Sequence, residues 1–204
     1  MQKTLQRVIQ VIFLALFIFL IIQGKVHVWM GLFLLGIIAS FVLGRIYCGW
    51  LCSINTAMIG VTWLKNKLRI KNMQIPSLLT KPWVRYAMLG IFVLIFVFTM
   101  GTGKKLPVLP IFFVIGILLT FLFPEELWHR YLCPYGTLLH IPARASKFHM
   151  TIDPVNCNNC GICMNACPAN AVQKYEDYHQ IHKKDCIVCM ECSRKCKQKA
   201  IGYK

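Results

Sequence analysis

Long apolar runs fill most of the first 123 residues of the chain, and short polar or basic segments separate them. Four runs have the length of membrane-spanning helices, at residues 5–22, 26–43, 84–100 and 107–123. A helix needs about 20 apolar residues to cross the ~30 Å hydrocarbon core of a bilayer. No small-x-small cleavage site follows the first run, which favours an uncleaved helix over a signal peptide. The pattern therefore predicts four transmembrane helices.

A mixed pattern occupies residues 54–70, where apolar and basic residues alternate at helical spacing. This pattern is typical of an amphipathic helix on a membrane surface. The expected apolar face contains Met58, Ile59, Trp63, Leu64 and Leu68. The expected basic face contains Lys65, Lys67, Arg69 and Lys71.

Beyond residue 147 the pattern changes to short alternating segments between cysteine-rich loops. The spacing C-x2-C-x2-C-x3-C occurs twice, 29 residues apart, at Cys157, Cys160, Cys163 and Cys167, and at Cys186, Cys189, Cys192 and Cys196. Apolar residues repeat at the same offset, since Ile152 matches Ile181 and Val172 matches Ile201. Each half thus predicts a strand, a cysteine loop, a helical turn and a second strand. We expect a small α+β module with pseudo-twofold symmetry.

The cysteine spacing is that of iron–sulfur ligands. In two-cluster bacterial ferredoxins the fourth cysteine of each run ligates the other cluster. Zinc sites usually have cysteine pairs that lie further apart, so zinc fits this spacing poorly. The spacing predicts one [4Fe–4S] cluster (cluster 1) on Cys157, Cys160, Cys163 and Cys196, and a second (cluster 2) on Cys186, Cys189, Cys192 and Cys167. Residues 148–203 resemble these ferredoxins, although Lys197 replaces the second proline of their pattern.

Composition supports a membrane protein. Of the 204 residues 57% are hydrophobic, and the mean hydropathy is +0.57, which is too apolar for an ordinary soluble protein. Basic residues beside membrane spans account for the net charge of +16, and two clusters of about −2 each offset part of it. No nucleic-acid motif accompanies this charge, so we expect no nucleic-acid partner. Metal-ligand spacing of the cysteines indicates a reducing compartment or an anaerobic cell.

The distribution of basic residues predicts an orientation. The connection at residues 44–82 carries six lysines and arginines, whereas the two opposite turns carry three in total, namely Lys25, Lys104 and Lys105. Connections rich in lysine and arginine stay in the cytoplasm. We therefore expect a multi-pass protein of the inner (cytoplasmic) membrane, with both termini and the cysteine-rich module on the cytoplasmic side.

Three further cysteines and a histidine lie beside the predicted spans, at Cys48, Cys52, His129 and Cys133. The residues of each pair are four apart, as on one face of a helical turn. Together they could supply four ligands to a third metal or iron–sulfur site, because imidazole can replace thiolate at iron. The alternative is an interfacial histidine with no metal, or only a dithiol. The sequence leaves both readings open.

Residues 45–52 and 129–136 resemble the two C-x3-C-P signatures of membrane-bound ferredoxin-type [4Fe–4S] proteins. This family includes the NapH-like proteins of periplasmic nitrate reduction and the membrane half of NosR-like regulators. Two positions depart from the signatures: Ser53 replaces the first proline, and His129 replaces a cysteine. The resemblance covers nearly the whole chain. It implies electron transfer between the quinone pool or cytoplasmic donors and an extracytoplasmic redox system, with a flavoprotein as a partner.

The predicted fold is therefore a membrane all-α domain of four transmembrane helices at residues 1–147, followed by a small α+β two-cluster ferredoxin-like domain at residues 148–204. No acid–base or nucleophile constellation stands apart from the metal ligands, which favours an electron carrier or a redox-complex subunit over a stand-alone enzyme. A second hypothesis is a maturation or regulatory protein, whose clusters reduce a metal ion or sense redox state during assembly of another enzyme.

Overall fold

The computed structural model describes residues 2–102, 108–175 and 178–204. The chain forms two compact units. The first unit contains Met1–Leu32 and Leu51–Thr137, and the second unit contains Phe33–Trp50 and Leu138–Lys204. The second unit thus combines the cysteine-rich module with an earlier segment of the chain. The predicted domain boundary between residues 147 and 148 stays a prediction.

The N-terminal part of the chain is helical. Its helices are α1 (Gln2–Ile22), α2 (His27–Leu43), α3 (Ile46–Trp50), α4 (Ser53–Lys67), α5 (Pro82–Thr102), α6 (Val108–Leu122), a π-helix (Leu127–Leu132) and α7 (Pro134–Ala143). Each of the four apolar runs forms a helix where it is described. The predicted turn at residues 101–105 lies outside the described residues from residue 103 onward, as does residue 107, the predicted start of the fourth span.

Two helices have the length and composition of membrane spans. They are α1, over Lys3–Ile22, and α5, over Pro82–Thr99. Helices α2 and α6 are apolar but shorter, with 17 and 15 described residues, or about 26 and 23 Å at ~1.5 Å per residue. The described structure therefore has a helical N-terminal part with two candidate spans.

Aromatic side chains hold the helices of the first unit together. Phe17 of α1 packs edge-on against Trp29 of α2, with ring centroids 4.9 Å apart, and also contacts Phe113 of α6 at 5.4 Å. Phe92 of α5 packs against Phe112 of α6 at 5.6 Å. Such pairs contribute about 0.5–1.5 kcal/mol each beyond the burial of their area.

One residue of helix α4 departs from the predicted division into an apolar and a basic face. Lys65, expected on the basic face, is buried and only 3% exposed. Lys65 Nζ donates hydrogen bonds to the carbonyl oxygens of Thr120 and Phe123, at 2.6 and 3.5 Å. The last carbonyls of a helix lack intrahelical donors, and this end of the helix dipole attracts cations. The prediction for Lys65 is wrong because this side chain caps the end of α6.

The second unit contains four short strands. Strand β1 (Met150–Ile152) pairs with β4 (Ile201–Tyr203), and β2 (Val172–Tyr175) pairs with β3 (Tyr178–Ile181), both antiparallel. Short helices α8 (Ile162–Asn165) and α9 (Glu191–Lys195) follow the cysteine loops. Ile152 pairs with Ile201, and Val172 pairs with Ile181. The 29-residue repeat exchanges these two pairs, so the predicted elements and their pseudo-twofold relation are confirmed.

The backbone of the second unit repeats in an unusual conformation. Three pairs of residues at the same 29-residue offset have positive φ: Asn159 (54°) with Val188 (55°), Gly161 (75°) with Met190 (62°), and Asn170 (47°) with Lys199 (52°). The first half uses asparagine and glycine, which tolerate the left-handed region. The second half places valine, methionine and lysine there, at a cost of about 1–2 kcal/mol per residue. The cysteine loops thus have one shape, which the second half adopts under strain.

Replacing Lys199 with glycine is expected to stabilise the second unit. Lys199 is exposed and its φ is 52°, so the change relieves left-handed strain without removing a core side chain. After the entropic cost of glycine, we expect a gain of about 0.5–1 kcal/mol, measured by thermal unfolding of the holoprotein. The control is Lys197→Gly, which removes the same exposed charge where φ is not positive and should lower stability. Equal destabilisation by both changes would contradict the strain.

Candidate iron–sulfur centres

Cysteines from both halves of the repeat line one cavity in the second unit. Its lining includes Cys157, Cys160 and Cys163 from the first half and Cys196 from the second half. Cys160 is exposed and Cys163 is buried. These are the four cysteines that the spacing predicts for cluster 1. The cavity therefore has the thiol donors and the apolar surroundings that a [4Fe–4S] cluster takes.

The second set of four thiols also converges. Cys186 interacts electrostatically with Cys189 and Cys167, and Cys192 interacts with Cys186 and Cys167. Cys189 in turn interacts with Cys167 and Cys192. Cys167 belongs to the first half of the repeat and the other three to the second half. The donors predicted for cluster 2 are therefore mutually close, with the exchange of the fourth cysteine that the repeat requires.

Burial perturbs the thiols of the second set. It raises the pKa of Cys186, Cys189 and Cys192 to about 12 in each case, and neighbouring cysteine charges add to the effect. Free thiols here would hold their protons at neutral pH, whereas a thiol that coordinates a metal is deprotonated outright. Bound iron would therefore displace protons from these thiols. Reactive cysteines usually have a lowered pKa and partial exposure, so these buried thiols with raised pKa values are better suited to be metal ligands.

Backbone amides point at several ligand sulfurs. The amide of Ala171 donates to Cys167 Sγ at 3.2 Å, and the amide of Val188 donates to Cys186 Sγ at 3.4 Å. Hydrogen bonds to cluster sulfurs are one of the determinants of reduction potential. Val188 is one of the residues with positive φ. Its left-handed backbone is part of the loop conformation that directs this amide at Cys186 Sγ.

Cys48 lies in the second unit, on helix α3. The ring of Tyr47 packs over α2, where a β-carbon at Gly36 would meet Tyr47 Cδ2 at 2.8 Å, and it contacts Phe33 with ring centroids 5.4 Å apart. Only glycine allows this close approach. The contact fixes α3 against α2 and thereby positions Cys48, which is itself buried.

Cys52 and Cys133 lie in the first unit, on two turns of the same construction. Each cysteine is extended (φ −68°, ψ 113° and φ −75°, ψ 109°) and precedes a helix. The carbonyl of Cys52 accepts from the hydroxyl of Thr56, and the carbonyl of Cys133 accepts from the hydroxyl of Thr137, at 3.1 Å in both cases. The prediction that both residues of each C-x3-C-like motif share a helical turn is therefore wrong, because a short helix ends before each second cysteine.

Tyr135 connects these two turns of the first unit. It is buried, and its pKa is raised by burial first and then by the charges of Cys133 and Cys52. Both thiols therefore lie near one tyrosine. His129, on the π-helix, is also buried. Among the described residues no group of three or more His, Cys, Asp or Glu side chains is placed to hold a single metal ion.

Two features of the sites were missed by sequence reasoning. The first is His179, which is buried and lines the cluster 1 cavity. The alternation of His179 with Ile181 along β3 was the available signal. The second feature is the threonine four residues after each of Cys52 and Cys133, which marks Thr56 and Thr137 as equivalent positions.

Comparison with known proteins agrees with these sites. A family model described as a 4Fe-4S binding domain matches residues 26–71, and two models described as 4Fe-4S dicluster domains match residues 156–201 and 131–171. The matched ranges include all eleven cysteines. No solved structure matches the chain.

Several curated proteins are similar over most of the chain. Uncharacterized protein MJ0749 of Methanocaldococcus jannaschii is 30% identical, over 83% of this chain and 68% of its own length. The ferredoxin-type protein NapH of Haemophilus influenzae is 31% identical, over 79% and 63%. The putative electron transport protein YccM of Escherichia coli is 27% identical, over 78% and 51%. The chain thus spans between half and about two thirds of the length of these relatives.

These matches and the two sets of cysteines define the class of protein. The chain belongs to the membrane-associated ferredoxin-type [4Fe–4S] proteins. One of these relatives is named a putative electron transport protein.

Proposed function

We propose that the protein is a membrane-anchored iron–sulfur electron-transfer protein. It passes electrons between cytoplasmic or quinone-pool donors and a membrane or extracytoplasmic redox partner. The observation that carries the proposal is the pair of four-cysteine sets in the second unit, each with donors from both halves of the repeat. Two such sets within one small module suit sequential one-electron transfer.

Eight cysteines are the proposed ligands. Cluster 1 is bound by Cys157, Cys160, Cys163 and Cys196, and cluster 2 by Cys186, Cys189, Cys192 and Cys167. When bound, each cluster supplies a reversible one-electron couple. The chain's own residues exclude water from the buried thiols and direct backbone amides at sulfur. Both effects set the potential at which an electron is held.

The membrane assignment is part of the proposal. Four helices, α1, α2, α5 and α6, form a transmembrane domain within residues 1–147, and residues 148–204 form the ferredoxin-like domain. Apolar side chains on the outer surface of the long helices support it: Ile22 is 77% exposed and Leu94 is 71% exposed. Such side chains are stable when they face lipid. We place both termini in the cytoplasm on the basis of the basic residues between α2 and α5.

A third centre remains a proposal of its own. Cys48, Cys52, His129 and Cys133 are its candidate ligands. The equivalent turns that present Cys52 and Cys133, and their shared neighbour Tyr135, support a role for these thiols. By family resemblance, the redox partner that exchanges electrons with this third centre would be quinone or an extracytoplasmic flavoprotein.

Electron transfer across a membrane tests the function. The purified protein is placed in liposomes that enclose ferricyanide, and a photoreduced flavin dye is supplied outside. We expect wild type to reduce the enclosed acceptor and Cys48→Ser to keep its two ferredoxin clusters but lose most of this transfer. Negligible transfer by wild type with both clusters present would favour the maturation or regulatory hypothesis. Full transfer activity of Cys48→Ser would show that Cys48 takes no part in the transfer and that the protein acts as a simple membrane-anchored ferredoxin.

A further inference from the structure

The segment from Arg45 to Trp50 packs against the loop that carries the cluster 2 cysteines, and both belong to the second unit. The indole nitrogen of Trp50 donates to the carbonyl of Val188 at 3.1 Å. Ile46 packs against the apolar core that contains Cys186 and Cys192. At Gly49 a β-carbon would meet the carbonyl oxygen of Ile187 at 2.3 Å. The helix of Cys48 and the cluster 2 loop are therefore in direct backbone contact.

Arg45 lies inside this contact. Its side chain is 1% exposed. One guanidinium nitrogen, Nη1, donates to the carbonyl of Asp185 at 3.3 Å, immediately before the ligand Cys186. The other, Nη2, lies 3.8 Å from Cys48 Sγ. One planar cation thus connects the candidate thiol Cys48 to the first ligand of cluster 2.

A buried cation raises the reduction potential of a neighbouring redox centre. The charge of Arg45 already favours the ionised form of Cys186. An oxidised cluster with four thiolates carries about −2 in total, and one electron adds a further negative charge. A guanidinium removed from water therefore stabilises the reduced cluster more than the oxidised one, with little screening by salt.

We propose that Arg45 is a tuning and positioning residue that raises the reduction potential of cluster 2 and orients Cys48 toward it. This inference rests on the proposed function. The thiolates of Cys186, Cys189, Cys192 and Cys167 would hold the group that accepts one electron from cluster 1, and this transfer would exchange no bond or proton. The donor to cluster 1 is a low-potential one-electron reductant.

Anaerobic dithionite titrations of the full-length protein, followed by EPR, test the role of Arg45. In Arg45→Met we expect the equilibrium constant for reduction of one cluster to fall about tenfold, which is about 59 mV for one electron. The other cluster should keep its wild-type potential. Arg45→Lys retains the charge and should shift the potential less. The matched control is Arg144→Met, which removes an exposed arginine of the same unit and should change neither cluster.

The outcomes separate this inference from the proposed function. If wild type shows no [4Fe–4S] signals, the proposed function fails. If wild type shows both signals and Arg45→Met shifts neither, or shifts both equally, the tuning role is wrong. If Arg45→Met does not assemble its clusters, Arg45→Gln carries the test, because it keeps hydrogen-bond donors without the charge. Failure of all three variants to assemble would also overturn tuning and assign Arg45 a structural role.

Discussion

Removal of iron is expected to unfold residues 148–204 and to leave the helices of the first unit folded. The core of the second unit contains the ligands themselves, with Cys163, Cys186 and Cys192 among its buried members. Its four strands have only three or four residues each. A module of this size cannot bury enough apolar surface to fold without a metal or disulfides.

The expected effect is large because metal binding is linked to folding. Structural metal sites contribute about 10–16 kcal/mol in small zinc domains, which is comparable with or larger than the whole stability of a typical domain, about 5–15 kcal/mol. Anaerobic ferricyanide with a chelator removes the iron, and limited proteolysis with circular dichroism reports the structure. We expect rapid cleavage within residues 148–204 and protection of the long helices. A mock-treated sample and Cys48→Ser serve as controls. Protease resistance after complete iron loss would show that the clusters do not hold the module together.

Gly49→Ala is expected to separate the helix of Cys48 from the cluster 2 loop. The added methyl group would meet the carbonyl oxygen of Ile187 at 2.3 Å and the backbone of Val188 at 3.0 Å. Both neighbours are backbone atoms, and Val188 is already in a strained conformation. The loop or the helix must therefore move. We expect a loss of about 1–3 kcal/mol, the usual cost of overpacking.

Spectroscopy distinguishes a local displacement from general damage. The EPR spectrum of cluster 2 should change in Gly49→Ala, while that of cluster 1 stays as in wild type. Gly60→Ala is the matched control, since Gly60 lies in α4 with nothing within 4 Å of its added methyl group. Alanine there should stabilise the helix by up to about 1 kcal/mol and leave both spectra unchanged. An unchanged cluster 2 spectrum and unchanged stability in Gly49→Ala would contradict the contact.

Local signals in the sequence predicted much of the fold. The 29-residue offset fixed the elements of the second unit, because equal spacing of cysteines and apolar residues requires equal local structure. The offset matches Ile152 with Ile181 and Val172 with Ile201, and these four residues form the two cross-strand pairs. The apolar runs likewise predict helices, because the length and hydropathy of a run can be read from that segment alone, without contacts to the rest of the chain.

The remaining features depend on contacts that spacing does not encode. Lys65 was assigned to a solvated face because nothing nearby in sequence marks the carbonyl of Thr120, 55 residues away. The contact of Arg45 with Asp185 joins residues 140 positions apart. At Cys52 the cause is local: α3 ends at Trp50 and α4 begins at Ser53, so a four-residue spacing does not mean one helical face. Thr56 and Thr137, four residues after Cys52 and Cys133, indicate the two equivalent turns better than the spacing of the cysteines does.

The assignment of two clusters to the eight cysteines is tested by the anaerobic iron and acid-labile sulfide content of the purified full-length protein, together with EPR of the reduced state. We expect about eight irons and eight sulfides per chain, with the interacting signals of two [4Fe–4S] clusters. An excess over eight irons that disappears in His129→Ala/Cys133→Ser would add the third centre. About four irons per fully loaded chain, or zinc in place of iron, would contradict the assignment of two clusters to the eight cysteines.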